Sequence, residues 1–454
     1  MDGDVYDENE LSVESVSIEF DRVDEKLKWE EVFPEWIDEK EAKCPHVPLM
    51  ARFQNDGDFD AVVARVPCGV RDVFRLQVNL VVANVAVKNR NVNAYVVFVG
   101  SCAPMVEIFR CDDLVMHGQE YWVYKPELRS LKHQTLMPLG SCQIAPQTEE
   151  EELIGKEAKL AYVTVLHSSE DYVCGAIALA QSILQTKTTT SQTIDLILLA
   201  DTSIGPKSTT GLKSAGWKIH RMERIRSPFA QNGAYNEWNY SKLRIWQLTS
   251  YDKVIFIDSD LVVLESIQRL FSYPQLSAAA NDLTLFNSGV MVVEPSECMF
   301  EHLMNRTWEV RSYNGGDQGF LNEVFGWWHR LPKKVNHMKV FGAGRNESRE
   351  VPGDVQAVHY LGWKPWTCYR DHDCNWDMPD RRIYASDDAH RRWWKVHDSM
   401  PKELQAYCQL TPKMNDRIIE WRRKAGNNAT FPDHAHSNIQ LKDPRSHYFP
   451  SDYN

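Results

Sequence analysis

The chain has 454 residues, 25% of them charged and 43% hydrophobic, which excludes collagen-like, low-complexity and wholly disordered chains and leaves room for two or three domains. Its formal charge of −12 is concentrated near the start: residues 1–50 hold 16 Asp and Glu against 5 Lys and Arg, leaving 47 against 46 for the rest. A body so nearly neutral lacks a basic face to follow a phosphate backbone, so nucleic acid is not an expected partner.

Residues 1–44 are acidic and carry few apolar side chains before Trp29, Val32, Phe33 and Trp36, the composition of a partly disordered, stem-like segment. The N-terminus, MDGDVYDENE, is acidic where a secretory leader or anchor would be basic and then apolar. No run of about 18 consecutive apolar residues occurs, so the expectation is a cytosolic chain or one without an N-terminal anchor. From Asp72 to Gly100, Phe74, Leu76, Val78 and Leu80, then Ala94, Val96 and Phe98, alternate with period two and predict strands. Val106–Phe109 and Tyr121–Tyr124 predict two more, giving a small β-rich module over residues 45–147 and a charged linker at 148–158 that holds Glu149 to Glu152.

The pattern changes at Ala161. AYVTVL predicts a buried strand, GAIALAQSIL places Ile177, Ala180 and Leu184 at helical spacing, Ile194–Ala200 and Val254–Ile257 predict further strands, and Ser241–Thr249 a helix. Buried strands alternating with helices predict an α/β domain over 159–370 with a mostly parallel sheet, whose ligands bind beyond the carboxyl ends of the strands. An aromatic and basic extension of helices and loops occupies 371–454.

Among ten cysteines, Cys102/Cys111 and Cys368/Cys374 are close pairs in loop-like sequence, candidates for disulfides of an oxidising lumen. None forms a CxxC, so a structural zinc site is not expected. Sequons at Asn239, Asn305, Asn346 and Asn428 are compatible with secretory passage.

The strand KVIFI runs into Asp258-Ser259-Asp260. Two carboxylates one residue apart at the end of a buried strand can hold one hard divalent cation beside a phosphate oxygen, although Asp-x-Asp also occurs in ordinary turns. His359, after an apolar run, can supply a nitrogen ligand to a cation such as Mn²⁺, and Lys364, five residues on, can reach a diphosphate. Together they point to a nucleotide-diphosphate site in which charge on the leaving group is neutralised.

AYVTVLHSSEDYVCGA, NYSKLRIWQLTSYDKVIFIDSDLVVLESIQRLF, FNSGVMVVEPS, GGDQGFLN and HYLGWKPW follow one another in the order found in the glycogenin-type family of retaining glycosyltransferases, family 8, which the chain resembles from about residue 160 to residue 370. The resemblance implies a glycosyltransferase A type, Rossmann-like domain. It further implies that Asp258, Asp260 and His359 bind Mn²⁺, that Lys364 with the Gly362 backbone grips the diphosphate, and that Tyr172 packs near the uracil. Lys242, Asp317 and Gln318 would contact the reacting donor sugar, with Asn287, Ser288 and Gly289 on the strand that approaches it. Two departures stand out: LPKKVNHMKVFGAG has no tyrosine where glycogenin carries its own acceptor, and Asn314 replaces an aspartate, which allows a donor other than UDP-glucose.

The N-terminal module, with YWVYKPELRSLKHQTLMPLGSCQIAP, and the CYRDHDCNWD and HRRWWKVHD stretches of the tail resemble a plant branch first named for starch initiation, whose members add glucuronic acid to xylan in secondary cell walls. That resemblance implies UDP-glucuronate as donor, xylan as acceptor, an α-1,2 linkage, a Golgi location beside other cell-wall enzymes and, in the branch, one N-terminal membrane helix. Gln318 cannot be a strong nucleophile, which favours attack from the leaving group's own face. Glucosyl transfer to an α-glucan primer, sugar transfer to a sphingolipid head group and a catalytically silent carbohydrate-binding homologue are the alternatives. A glucuronate carboxylate needs a cation, for which Arg221, Arg224 and Arg226 are candidates by position, and a xylan groove needs aromatics such as Trp327, Trp328, Trp363, Trp366 and Trp376.

Overall fold

The computed structural model describes residues 13–50, 58–146, 158–186, 193–281, 285–342 and 348–438, with Asp443 and Arg445. The first ten residues, the linker up to residue 157 and the sequon at Asn346 lie outside the described residues. The chain divides into a smaller compact unit, taking residues up to 28 with 46–109 and 113–135, and a larger one, taking 29–45, 110–112 and everything from 136.

The smaller unit holds a four-stranded sheet in the order β1 (Ala61–Arg65), β2 (Tyr95–Val99), β4 (Tyr121–Tyr124), β3 (Leu114–His117). The strands expected at Ala94–Phe98 and Tyr121–Tyr124 are present. Phe74 to Leu80 instead lies in the α-helix Val73–Lys88, capped by the Asp72 side chain, which accepts from the Arg75 N–H at 2.6 Å. This helix buries Leu76, Val78 and Leu80 together with Gln77 and Asn79, so it has no polar stripe to betray a 3.6-residue period, and its apolar run reads equally as a strand. Both buried amides find partners outside the helix: Gln77 Oε1 accepts from Val23 N at 2.9 Å, and Asn79 Oδ1 from Met105 N at 3.0 Å, while Asn79 Nδ2 donates back to the Arg75 carbonyl at 2.8 Å. Val106–Phe109 is a turn rather than a strand.

The larger unit is built on a seven-stranded sheet, β12-β10-β11-β8-β5-β6-β7. Its centre is β5 (Leu160–Leu166), β6 (Ile194–Ala200), β7 (Lys218–Arg221) and β8 (Lys253–Ile257), mutually parallel, with β11 (Phe286–Val293) antiparallel to β8. β5, β6 and β8 are apolar along nearly their whole length because helices and loops cover both faces. β10 (Ser277–Ala280) and β12 (His329–Leu331) complete one edge. A second sheet joins β9 (Leu261–Val263), β14 (Ala357–His359) and β13 (His337–Met338). The helix Val173–Thr186 packs tightly on the turn after β8: a Cβ on Gly175 would lie 2.4 Å from the Ser259 carbonyl and 2.5 Å from the Trp366 ring. Asn239–Gln247 is 3₁₀ rather than α-helical.

The C-terminal extension is part of this unit's core. Trp393 and Trp394, on the helix Asp387–Ser399, join the same apolar cluster as β5 and β6. All ten cysteines are paired, as Cys44–Cys142, Cys68–Cys102, Cys111–Cys298, Cys174–Cys408 and Cys368–Cys374. The expected Cys368/Cys374 pair forms. Cys102 and Cys111 do not pair with each other, because the chain delivers one to Cys68 and the other to Cys298, 187 residues away in sequence.

Candidate active site

The site forms where strands end. Asp258 follows β8, and its N–H is held by the Gly289 carbonyl at 2.8 Å. One turn later the chain enters β9, whose antiparallel register with β14 sets His359 opposite Leu261 and brings the imidazole to Asp260, Nε2 to Oδ1 at 3.2 Å. Lys364 closes the other side of Asp260, Nζ to Oδ2 at 2.7 Å, and also donates to the Tyr360 carbonyl at 2.6 Å. Burial works to protonate Asp260, but Lys364 and His359 outweigh it and hold the carboxyl far below its usual range. Burial, with the neighbouring Asp260 charge, raises that of Asp258 despite Lys242.

A second cluster adjoins the first through Lys242. Its Nζ meets Asp317 Oδ2 at 2.6 Å, Asp258 Oδ1 at 3.2 Å, and the Ser288 carbonyl and hydroxyl at 3.2 and 3.1 Å. Lys242 is thus a buried ammonium, not a helix-surface lysine; burial opposes its charge, but Asp258 and Asp317 prevail and raise its pKa. Asp317 also accepts from Ser288 Oγ at 2.7 Å, while Gly316, not Asp317, caps the helix Asp317–Val324. Gln318 Oε1 accepts from Asn287 Nδ2 at 3.0 Å and Ser288 N at 3.3 Å, and its Nε2 donates to Tyr313 OH at 2.9 Å.

Tyr172 stands edge-on to Trp366 with ring centroids 5.9 Å apart, and Lys364 Nζ lies 5.8 Å from the Tyr172 ring centre. Gly362 adopts φ +75°, a left-handed backbone that favours glycine, and a Cβ there would lie 2.5 Å from Asn375 Oδ1. The tail stiffens this loop: Asn375 accepts from Trp363 N at 2.9 Å, Tyr360 OH donates to the Ala389 carbonyl at 2.9 Å, and Trp393 packs 5.7 Å from Trp366. All twelve residues singled out for the site thus fall around one rim of the sheet.

Asn336 was not foreseen. It is buried, its Oδ1 lies 3.1 Å from His359 Nδ1, and its Nδ2 donates to Asn287 Oδ1 at 2.8 Å. The amide oxygen can accept from Nδ1, which leaves Nε2 as the ring nitrogen that faces the carboxylates and would meet a cation. Asn336 comes from the turn before β13, and no local motif marks it. Asn314 shapes backbone and also lines the cleft described below: its Oδ1 accepts from Gly316 N at 2.9 Å and Gly319 N at 3.3 Å, fixing the start of the helix that presents Asp317.

The residues fit a divalent cation. Ligand atoms of Asp258, Asp260 and His359 all lie within 4.8 Å of one another, two hard oxygens and one imidazole nitrogen. The space is kept by Gly289, where a Cβ would fall 2.6 Å from His359 Cε1. Beside the second cluster lies an open cleft of about 620 Å³ lined by residues that include Phe229, Asn236, Arg311, Tyr313 and Gly315. Trp327 and Trp328 belong to the core at 1% and 0% exposure, and Trp366 and Trp376 are buried, so the exposed aromatics near the cleft are Phe229, Tyr235 and Tyr313.

The GUX1-5 N-terminal domain profile matches residues 2–142, and that of glycosyl transferase family 8 matches residues 163–281 and 274–369. An Arabidopsis thaliana protein named putative UDP-glucuronate:xylan alpha-glucuronosyltransferase 4 is 52% identical over 464 residues, 96% of this chain and 82% of that protein. UDP-glucuronate:xylan alpha-glucuronosyltransferase 2 of the same plant is 48% identical over 95% of this chain and 77% of its own length. Among solved structures, the galactosyltransferase LgtC in complex with donor and acceptor sugar analogs matches at TM-score 0.39 and 17% identity, over 54% of this chain and 99% of that one. The chain belongs to glycosyl transferase family 8, its larger unit a glycosyltransferase A type domain that follows a GUX1-5 N-terminal domain in the sequence.

Proposed function

We propose that this chain transfers glucuronic acid from UDP-glucuronate to O-2 of xylose units in xylan, making an α linkage with the donor's configuration retained. What carries the reading is 52% identity along 96% of the chain to a protein named for that donor and acceptor, with the Asp258, Asp260, His359 and Lys364 cluster complete. In this reading Asp258, Asp260 and His359 hold Mn²⁺, Lys364 and the Gly362 N–H grip the diphosphate, and Tyr172 borders the uracil. Asn287, Ser288 and Gly289 line the sugar, and Lys242, Asp317 and Gln318 position its reacting carbon. A bound divalent cation would neutralise charge developing on the leaving diphosphate.

Lys364 adds a fixed positive charge at the same place, so the C1–O bond to UDP breaks toward a preorganised acceptor of charge. The xylose O-2 then bonds to C1 from the same face, and its proton passes to the departing phosphate oxygen. Gln318 is an amide whose oxygen already accepts two hydrogen bonds, which favours this route over a double displacement. The cleft beside Tyr313 offers a flexible neutral chain aromatic faces and amides.

Ten paired cysteines support an oxidising compartment, here taken to be the Golgi lumen, where the chain would work beside other enzymes of secondary cell-wall synthesis. No helix among the described residues is long and apolar enough to cross a membrane. The test is turnover of UDP-glucuronate, UDP-glucose and UDP-galactose with Mn²⁺ and a xylo-oligosaccharide. UDP-glucuronate should lead by about tenfold or more. Preference for UDP-glucose would overturn the donor and move the reading to glucan priming.

A further inference from the structure

A glucuronate donor brings a carboxylate into a site already rich in acid, so some cation must meet it. Lys242 has none of its charge to spare: its ammonium meets two carboxylates and both oxygens of Ser288. Lys364 is committed to Asp260 and the diphosphate side. Of the three arginines from the end of β7 to Tyr235, two are tied to nearby loops. Arg221 donates to the carbonyls of Asp201 and Ile204 at 2.7 and 3.1 Å and to Thr209 Oγ1 at 2.9 Å. Arg226 is held by Glu237 Oε1 at 3.0 Å and by Asn232.

Arg224 is placed differently. Its Nε meets Asp201 Oδ2 at 3.1 Å, its Nη1 donates to Ser168 Oγ at 3.3 Å, and Trp238 underlies the guanidinium at 4.1 Å. Ser168 and Asp201 follow the carboxyl ends of β5 and β6, and β5 is the direct neighbour of β8, which ends at Asp258. The arginine therefore lies on the rim that carries the site. Its segment is stitched to the elements that deliver the sugar-side residues: Ile225 N donates at 3.0 Å to Ser241, next to Lys242, and Ser227 Oγ donates at 2.5 Å to the carbonyl of Gly315, two residues before Asp317. His167, between them, lies within electrostatic reach of Arg224 and Asp201 and equally of Lys242 and Asp317.

The guanidinium is also oriented. Asp201, 4% exposed, uses Oδ1 on Ser203 N at 3.0 Å and on Ser203 Oγ at 2.5 Å, while its Oδ2 accepts from Ser168 N at 3.4 Å and lies 3.1 Å from Arg224 Nε, so a fixed carboxylate holds the guanidinium by charge. Ser168 holds φ +71°, an uncommon backbone for a residue with a side chain, and so turns its hydroxyl to Nη1. Among the described residues Nη2 has no protein partner, and the side chain remains 35% exposed. A half-open guanidinium held at Nε and Nη1, seated on an indole and open at Nη2, can receive a ligand carboxylate.

We propose that Arg224 reads the C6 carboxylate of the donor sugar through its Nη edge and so sets the preference for a uronic acid over a neutral hexose. This rests on the glucuronate reading above. Arg224→Gln should raise KM for UDP-glucuronate by about tenfold or more while kcat falls less, and leave turnover of UDP-glucose and the affinity for UDP unchanged. Arg226→Gln should keep the wild-type preference. Because Arg224→Gln strips Asp201 of its counter-ion, Arg224→Lys is measured beside it: charge retained, bidentate geometry lost, KM for UDP-glucuronate raised several-fold with UDP affinity intact. A wild-type preference for UDP-glucuronate that survives in both Arg224 variants would remove the role of Arg224 alone. Equal losses with both donors would do the same. A wild-type chain with no such preference would instead remove the donor reading.

Discussion

Lys242–Asp317 and Lys339–Asp373 are both buried lysine–aspartate pairs of the larger unit, at 2.6 and 2.5 Å, yet their surroundings differ. Around Asp373 every acceptor position is filled from within. Oδ2 takes Lys339 Nζ and Ser386 N, and Oδ1 takes Asn375 N and Nδ2 at 3.1 and 2.6 Å. The pair ties the tail to the strand region behind His359, since Lys339 N also donates to the His359 carbonyl at 2.9 Å. Around Lys242 the chain has crowded one ammonium with two carboxylates, and Asp258 keeps 30% of its side chain exposed. The closed pair holds the structure together; the open one holds charge ready for something that is not protein. The same buried chemistry thus acts as a brace or as a site according to whether its last contacts come from the chain.

That contrast can be broken at either end. The largest expected effect is on the open side: Asp258→Asn with Asp260→Asn should lower kcat/KM for the UDP-sugar by about a thousandfold or more, several kcal/mol of lost charge stabilisation, with the native near-ultraviolet dichroism retained. Turnover at wild-type rate with added Mn²⁺ would remove the cation site. On the closed side, Lys339→Met strands Asp373 and should cost about 3–5 kcal/mol in urea unfolding, whereas Lys339→Met with Asp373→Leu should recover much of it. An unchanged urea midpoint in the single variant would show that the brace contributes nothing.

The brace also has a pH signature. Burial pushes the His390 imidazole from the ordinary 6.5 to about 4, outweighing the nearby Asp373. The unfolded chain therefore binds that proton more readily than the folded one, so this stability is present above pH 6.5 and is lost as pH falls toward 4, up to about 3 kcal/mol. His390→Gln should flatten the pH dependence of unfolding across that window; an unaltered slope would reject the assignment. The smallest effect belongs to the amide behind His359. Asn336→Ala should weaken Mn²⁺ binding by about 10–100-fold in calorimetry while leaving the fold intact, and unchanged affinity would separate Asn336 from the cation site.

The site was legible wherever chemistry and backbone position coincide in a short stretch of sequence. A strand that must end, an Asp-x-Asp at that end and a histidine–lysine pair five residues apart survive as text. Asn336, the Asn314 turn and the aromatic packing of Trp393 behind Trp366 depend on chain segments that meet only after folding, so no spacing announces them. The smaller unit misleads for a related reason: the helix Val73–Lys88 is buried on all sides, and burial erases the periodicity that distinguishes helix from strand. Cysteine partners obey the same limit, since nearness in sequence paired Cys368 with Cys374 but not Cys102 with Cys111.

The most direct test is the linkage made from UDP-glucuronate and a xylo-oligosaccharide with Mn²⁺, read by nuclear magnetic resonance of the product. The proposed function predicts a single glucuronosyl residue on O-2 of xylose with the α configuration of the donor. A β-linked product would contradict the same-face chemistry assigned to the Lys242, Asp317 and Lys364 site, and a product that forms only from UDP-glucose would contradict the function itself.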